Sequence, residues 1–510
     1  MPPRPSLRSA LRPRAASRRD RALAECVAGA RALQMGRTDA ALERYAAGVA
    51  LAPQDADIAA LHGVALRGAA RLHDAQRELI RAIALDTSRA DSYTQLAQTY
   101  RMAGDKTQAA AAFLASAMLR PTEAVAWRDA AEALRLAGRI TEGLETVHHA
   151  ASLAPDDPSI ANTKALLLHR DDRVDEAMAA CERGRTQSPD DLHLALTHGL
   201  LLRTCGQWDL GWSLYERRLE LPELQQRPYR PSTPRWNGGS LAGKHVLVRA
   251  EQGLGDHLQF VRFATLLRAN GAARVTVQTA AALVRLLKTA RHIDSVIALD
   301  LPAPPHHVHV DLMSLPHLMR SGGNMHTELV PYLAAPGIAP DVARDLGAKP
   351  AHTVRIGLAW SGSPHYADDE SRSMRLSHLM PVLSRDDVQV VVLQQGPGRV
   401  QLEQLDAAAR ARMIDAAPQC SDMGDTAHVM SRCDVVLCVD TSVGHVAGAL
   451  GMPAWVMVAQ PSEWRWGRST ADSLFYPSVR VLRQAKAGDW ASVVSQVDDA
   501  INQWLAGHGA

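Results

Sequence analysis

The sequence predicts an α-helical repeat array in its first half and two parallel α/β units in its second. Three observations carry this. A 34-residue grid of small, apolar and turn-forming residues runs from about Ala22 to Tyr215. From His245 onward, apolar runs of strand length alternate with helical stretches, the pattern of βαβ units. Residues 435–458 read as a buried strand, a polar turn, a short helix and a second buried strand, and the second half is organised around them.

Composition bounds the function classes. The chain has 510 residues, enough for about three ordinary domains. Its net charge is +2 with both signs evenly mixed, which gives no reason to expect nucleic acid or an anionic membrane as the main partner. The six cysteines (Cys26, Cys181, Cys205, Cys420, Cys433 and Cys438) form no CxxC pair, so neither a zinc site nor a disulfide framework is expected. Reduced thiols in a cytoplasmic protein are the simpler reading. No run of about 18 apolar residues suggests a transmembrane segment. Residues 1–21 are rich in Arg, Pro, Ser and Ala and lack an apolar core, so they read as a disordered basic tail rather than a secretory signal. Their composition also overlaps with an organellar transit peptide.

Five series share the grid over residues 22–220. Pro53, Pro121, Pro155 and Pro189 form one, with Thr87 in the missing slot. Gly36, Ala70, Gly104, Gly138, Asp172 and Gly206 form the second. Ala41, Ala75, Ala109, Gly143, Ala177 and Gly211 are all small, as are Gly63, Ala97, Ala131, Ala165 and Gly199. Tyr45, Leu79, Phe113, Val147, Cys181 and Tyr215 are larger. This is the tetratricopeptide signature: small residues where two helices cross, a turn between them and a Pro closing each unit. Each hairpin must stack on its neighbours to bury its apolar face, which produces a solenoid with a groove. The groove reads as a recognition surface for a protein or peptide partner; a rigid spacer is the alternative. The last unit carries Trp208, Trp212 and Tyr215, aromatics suited to sealing the array against the next domain. Residues 221–243, with Pro222, Pro228, Pro231, Pro234 and Gly238-Gly239, are a linker in composition, with Trp236 as its anchor.

The α/β half divides into residues 244–340 and 350–510. In the first, residues 245–250, 275–279, 296–299 and 308–312 read as strands, and 258–269 as a helix. In the second, residues 354–360, 388–394, 413–415, 435–440 and 454–459 read as strands. Residues 489–505 form a terminal amphipathic helix, with Trp490, Val493, Val494, Val497, Ile501 and Trp504 on its apolar side. Two such units leave a cleft at the carboxyl ends of their strands, where ligands of parallel sheets bind.

Four loops at that edge could carry chemistry. Asp440, Thr441 and Ser442 offer N-cap oxygens to a helix whose N-terminus is an anion site, and His445 lies further along that helix. The turn Gly253-Leu-Gly255 is not a P-loop, since it lacks a downstream Gly-Lys-Ser/Thr. It is not a dinucleotide fingerprint either, since Leu258 replaces the third Gly. It places Asp256 at a helix start, as a functional acid or simply a first-turn acid. The polar loop 361–373 contains Ser361 and Arg372; Arg372 either meets a phosphate or pairs with Asp368 or Glu370. Ser462-Glu-Trp-Arg-Trp-Gly467 offers Trp464 and Trp466 for stacking a base or sugar, or for packing on the terminal helix. Asp55-Ala-Asp57 has the Asp-x-Asp spacing of metal-dependent sugar transferases but lies on a repeat turn, so no metal or other cofactor is implied.

Four of these stretches carry a resemblance. Val248-Arg-Ala-Glu-Gln-Gly-Leu-Gly-Asp256, Ile356-Gly-Leu-Ala-Trp-Ser-Gly-Ser-Pro364, Asp440-Thr-Ser-Val-Gly-His445 and Trp464-Arg-Trp466 together resemble bacterial tetratricopeptide-repeat glycosyltransferases. Their catalytic half is similar to heptosyltransferases, and the layout resembles the O-linked N-acetylglucosamine transferase. The resemblance implies a GT-B fold of two Rossmann-like domains, the acceptor in the first and a nucleotide-sugar donor in the second, with no metal. It implies Asp256 as the base, with Gln252, Gly253 and Gly255 in the acceptor loop. Asp440, Thr441, Ser442, His445, Arg372 and Ser361 fall to the donor. Ser442 stands where that family has Gly, and loop 361–373 lacks the family's Lys; either Arg372 replaces it or phosphate is neutralised more weakly. The expected function is an inverting, metal-independent transfer of a hexose or heptose to a protein, peptide or glycan recruited by the repeats. The alternative is a non-catalytic scaffold with a degenerate transferase domain, acting in surface or flagellar assembly.

Overall fold

The computed structural model describes residues 17–225, 231–319, 329–337, 346–364, 366 and 368–508. Most of the tail, part of the linker, much of 320–345, His365 and Ala367 lie outside these. Of the described residues, those up to Asp171, with Thr186–Ser188, form one compact unit; Asp172–Arg185 and the residues from Pro189 onward form a second.

The repeat helices pair as α1 (Arg18–Gln34) with α2 (Thr38–Leu51), α3 (Ala56–Gly68) with α4 (Leu72–Leu85), α5 (Ala90–Met102) with α6 (Lys106–Met118), and α7 (Ala124–Leu136) with α8 (Ile140–Leu153). Next in chain order are α9 (Pro158–Arg170), α10 (Val174–Gln187), α11 (Leu192–Thr204) and α12 (Trp208–Tyr215). This is a tetratricopeptide-like helical repeat. Helix α1 starts four residues before Ala22, because Ser17 and Asp20 close a capping box on its first turn. The small residues sit where helices cross: a Cβ at Gly63 would lie 2.7 Å from Leu79 Cγ, so Leu79 fills the space Gly63 leaves. Asp55 of the discounted Asp-x-Asp pair caps α3, accepting from the N–H of Asp57 at 2.9 Å.

The second grid series has a backbone cause. Gly36, Ala70, Gly104, Gly138, Asp172 and Gly206 all have positive φ, between 58° and 80°. Each repeat therefore turns through a left-handed residue after its first helix; Asp172 tolerates this conformation, whereas Ala70 is poorly suited to it. A left-handed alanine costs about 1–2 kcal/mol, partly offset by the extra chain entropy a glycine loses. Ala70→Gly is therefore expected to stabilise the first unit by about 0.5–1 kcal/mol, seen as a higher midpoint in thermal or urea unfolding. An unchanged or lower midpoint would count against a strained turn.

The second half contains two all-parallel sheets. Strands β1 (His245–Arg249), β2 (Arg274–Thr279), β3 (Ser295–Ala298) and β4 (Val308–Asp311) are ordered β3-β2-β1-β4. Strands β5 (Val354–Ala359), β6 (Val388–Val392), β7 (Met413–Asp415), β8 (Val435–Val439), β9 (Ala454–Val458) and β10 (Val479–Arg483) are ordered β10-β9-β8-β5-β6-β7. The second order is that of a doubly wound dinucleotide-type sheet, with its switch point between β5 and β8. Continuous apolar strands are explained by burial on both faces. On β8, Val435, Leu437 and Val439 join one core with Trp490, Val493, Val497 and Ile501 of the helix Trp490–His508. Val436 and Cys438 join the other core, with Val446 and Ala447 of the helix Ser442–Ala449.

Two departures from expectation concern this half. Strand β10 was not anticipated: Val-Arg-Val-Leu-Arg lies at the sheet edge, with Arg480 exposed and Arg483 donating to the Trp466 carbonyl at 3.0 Å, so it lacks a continuous apolar run. The first α/β helix spans Leu254–Thr265 rather than 258–269, because Asp256 caps it from within. In the linker, Trp236 is buried and donates from Nε1 to the Gly239 carbonyl at 2.7 Å.

Candidate functional site

A cleft of about 660 Å³ opens at the carboxyl ends of both sheets. It is lined by the loop after β1, the loop after β5, the end of β6 and the turn after β8, all within the second unit. The ten residues assigned to the base, acceptor loop and donor line it, namely Gln252, Gly253, Gly255, Asp256, Ser361, Arg372, Asp440, Thr441, Ser442 and His445; Trp464 and Trp466 do not. Another cavity, of about 730 Å³ beside Trp236, Asn270 and His317, contains none of them.

The turn after β8 is built by its cap. Thr441 is the N-cap of the helix Ser442–Ala449, its Oγ1 accepting from Val443 N–H at 3.3 Å. Ser442 is the first helical residue. Asp440, one of the three cap oxygens expected from sequence, is therefore spare, a half-buried carboxylate on the cleft wall.

His445 is nearly covered. A Cβ on Gly255 would lie 2.8 Å from its Cδ2, so only glycine lets the helix Leu254–Thr265 approach the helix Ser442–Ala449 this closely. Its ring lies 5.2 Å from that of Trp466, and its Nδ1 meets the Tyr476 hydroxyl at 2.9 Å. Burial, with Arg465, Arg262 and Arg372 nearby, holds its pKa well below the usual value. The imidazole is thus neutral and brings a hydrogen-bonding ring to the cleft, not a charge.

Asp256 is held at both oxygens. Oδ2 accepts from Gly253 N–H at 3.0 Å, which makes Asp256 a first-turn acid rather than the N-cap itself. Oδ1 is ion-paired with Arg465. That guanidinium also binds Glu463, donates from Nε to Gln259 Oε1 at 2.9 Å and lies 4.4 Å from the Trp464 ring centroid. Burial would push Arg465 down, but the carboxylates of Glu463 and Asp256 more than offset it and hold it protonated. Burial pushes the Glu463 carboxyl up; Arg465 opposes this and Asp440 adds to it.

Arg372 closes the helix Asp369–Arg372, donating from Nε to Asp369 Oδ1 at 3.0 Å with its guanidinium 4.3 Å from the Tyr366 centroid. Its partner is thus Asp369, one residue away from each of the two acids expected from sequence. Ser361 is fixed by Gln394, whose Oε1 accepts from the N–H groups of Trp360 and Ser361, each at 2.9 Å. Gln394 and Glu463 were not singled out from sequence. Gln394 stands just past the end of β6, at the ligand edge, and that placement was the available signal.

Trp464 and Trp466 are buried, which corrects both readings of them: neither offers a face to a sugar, and neither packs on the terminal helix. Trp464 meets Trp208, Trp212 and Phe475 edge-on at 5.5–5.8 Å between ring centroids. The aromatics of the last repeat and Trp464 thus share one core, with the Arg203 guanidinium 4.9 Å from the centroids of Trp212 and Trp464. Tyr215 reaches the site directly, its hydroxyl accepting from Gln252 Nε2. Gln252 has φ of 68°, a left-handed conformation that its partner helps to hold. Beside it, Arg218 and Glu251 form a buried ion pair.

Among the described residues, no group of three or more His, Cys, Asp or Glu is placed to hold a metal ion. Nor is any helix there long and apolar enough to cross a membrane.

Fold and cleft define a class: a helical-repeat protein with two parallel α/β sheets and a cleft at their strand ends. No protein-family model matches the chain. It is similar to Protein FlbA of Caulobacter vibrioides, 25% identical over 324 residues, covering 58% of this chain and 52% of that protein. The chain thus spans about half the length of the curated relative it matches. Among solved structures, MamA covers 33% of this chain and 93% of its own at 18% identity and a TM-score of 0.31. PilF of Pseudomonas aeruginosa covers 41% and 97% at 18% identity and 0.33. YrrB, a tetratricopeptide protein with an unusual peptide-binding site, covers 35% and 92% at 14% identity and 0.29. Scores this low add nothing to what the helix pairs themselves show.

Proposed function

We propose that the chain is an inverting, metal-independent glycosyltransferase of GT-B type, moving a sugar from a nucleotide-diphosphate donor to a protein, peptide or glycan brought by the repeats. One observation carries the reading: Asp256, from the first α/β domain, and the capped helix N-terminus with Asp440, from the second, line the same cleft at the switch point of the second sheet. Asp256 would take the acceptor hydroxyl proton. The amides after Thr441, with Arg372, would meet the departing diphosphate, and Asp440 would accept from donor hydroxyls. Arg372 takes the place of a lysine in the loop after β5. The ion pair that holds Asp256 supports a second reading, a scaffold whose base is permanently neutralised.

Thermal melting of the whole chain against a panel of nucleotide sugars, with and without a chelator, separates the two. The transferase reading expects at least one donor to raise the midpoint, by an amount set by its concentration relative to Kd, and the shift to survive chelation. A shift that appears only with magnesium or manganese contradicts metal independence, and no shift with any donor favours the scaffold.

A further inference from the structure

Arg465 is placed between the two halves of the proposed chemistry. It lines the cleft with Asp256 and Asp440, yet its side chain remains only 14% exposed. Of the five Asp, Glu and Arg residues on the cleft wall, Asp256, Asp440 and Glu463 are acidic and Arg372 and Arg465 basic. A nucleoside diphosphate must enter beside those three acids. Arg372 is already paired with Asp369, and His445 is neutral. Arg465 is the remaining cation of the cleft among the described residues, and it is committed to two carboxylates. Asp256 meanwhile has Oδ1 engaged by the guanidinium, which competes there with an acceptor hydroxyl.

Both difficulties have one solution. We propose that Arg465 is an exchange residue: it neutralises Asp256 in the free protein and moves onto the diphosphate when the donor binds, thereby freeing Asp256. The inference rests on the transferase reading. In the transfer step, the acceptor O–H proton passes to Asp256 Oδ1 and the acceptor oxygen bonds to the anomeric carbon. The bond from that carbon to the β-phosphate oxygen breaks, and its electron pair leaves with the nucleoside diphosphate. The charge gained there falls on Arg465, whose planar fork suits phosphate as well as carboxylate. Donor binding therefore precedes base activation, and a protein without donor keeps its acid capped.

Affinity for nucleoside diphosphates tests this in variants of the full chain. Calorimetry with UDP, GDP and ADP in EDTA identifies the one that binds wild type. Arg465→Gln is expected to weaken that ligand about tenfold or more, and Arg465→Lys to restore part of the loss. Asp256→Asn, which removes the competing charge and leaves the arginine in place, is expected to tighten the same ligand by about threefold or more. The parent nucleoside, lacking phosphates, should bind all forms alike. If Arg465→Gln misfolds, the opposite sign expected of Asp256→Asn still decides. Unchanged diphosphate affinity in Asp256→Asn overturns the exchange while leaving the transferase reading standing. If no nucleoside diphosphate binds wild type, both fall together.

Discussion

Asp256→Asn is expected to lower turnover on the order of a hundredfold or more, with donor binding not weakened. The substitution keeps the size of the side chain and an oxygen for Gly253 N–H, but the amide cannot take a proton. Stability should change only modestly, because an asparagine still closes the first turn of the helix Leu254–Thr265 and the largely buried Arg465 keeps Glu463 as its carboxylate partner. If Asp256 serves only that turn and its ion pair, the order of effects reverses: turnover stays near wild type, and Asp256→Ala lowers the melting point. Steady-state rates and melting of both variants distinguish the two. Near-normal turnover in Asp256→Asn would leave the proposed reaction without a base.

Trp212→Ala is expected to have the largest effect on stability. The side chain is 2% exposed and packs edge-on against Trp464 and Phe260 at 5.5 and 5.4 Å between centroids. Truncating a buried tryptophan costs about 3–5 kcal/mol, and the buried Arg203 guanidinium loses part of its aromatic support. The melting midpoint of the second unit should fall by several degrees or more, while the first unit, which does not contain Trp212, is unaffected. Calorimetry of the whole chain reads both. An unchanged midpoint would mean that the last repeat is an appendage and not part of the α/β core.

The sequence disclosed the parts of this molecule that depend on periodicity. The 34-residue grid located the left-handed turns, because a residue with positive φ is written into sequence as glycine in four of the six repeats. Apolar runs located β1, β5, β8 and β9 because strands covered on both faces are mostly apolar, with Arg355 of β5 an exception. The site loops were legible for a related reason: they come directly after those strands, where parallel sheets present ligands. Partnerships across the cleft were not legible. Arg465 and Asp256 are 209 residues apart, and no local pattern records their ion pair. The fate of Trp464 depended on Trp208 and Trp212 of the last repeat, likewise distant in sequence, and that of Trp466 on the ring of His445. The role of Asp440 turned on a single residue of helix register, since Thr441 takes the cap.

The most direct test of the proposed cleft is calorimetric titration of the whole chain with nucleotide-diphosphate sugars in EDTA, with Asp440→Ala alongside. Because Thr441 caps the helix, Asp440→Ala should fold normally. At least one nucleotide sugar is expected to bind wild type without metal. Asp440→Ala is expected to weaken that sugar about tenfold, or about 1.4 kcal/mol, through loss of a charged acceptor for sugar hydroxyls. The matching nucleoside diphosphate, which lacks the sugar, should bind both forms equally. Equal affinity of the nucleotide sugar for the two proteins, or no binding by any donor, would contradict the proposed donor site.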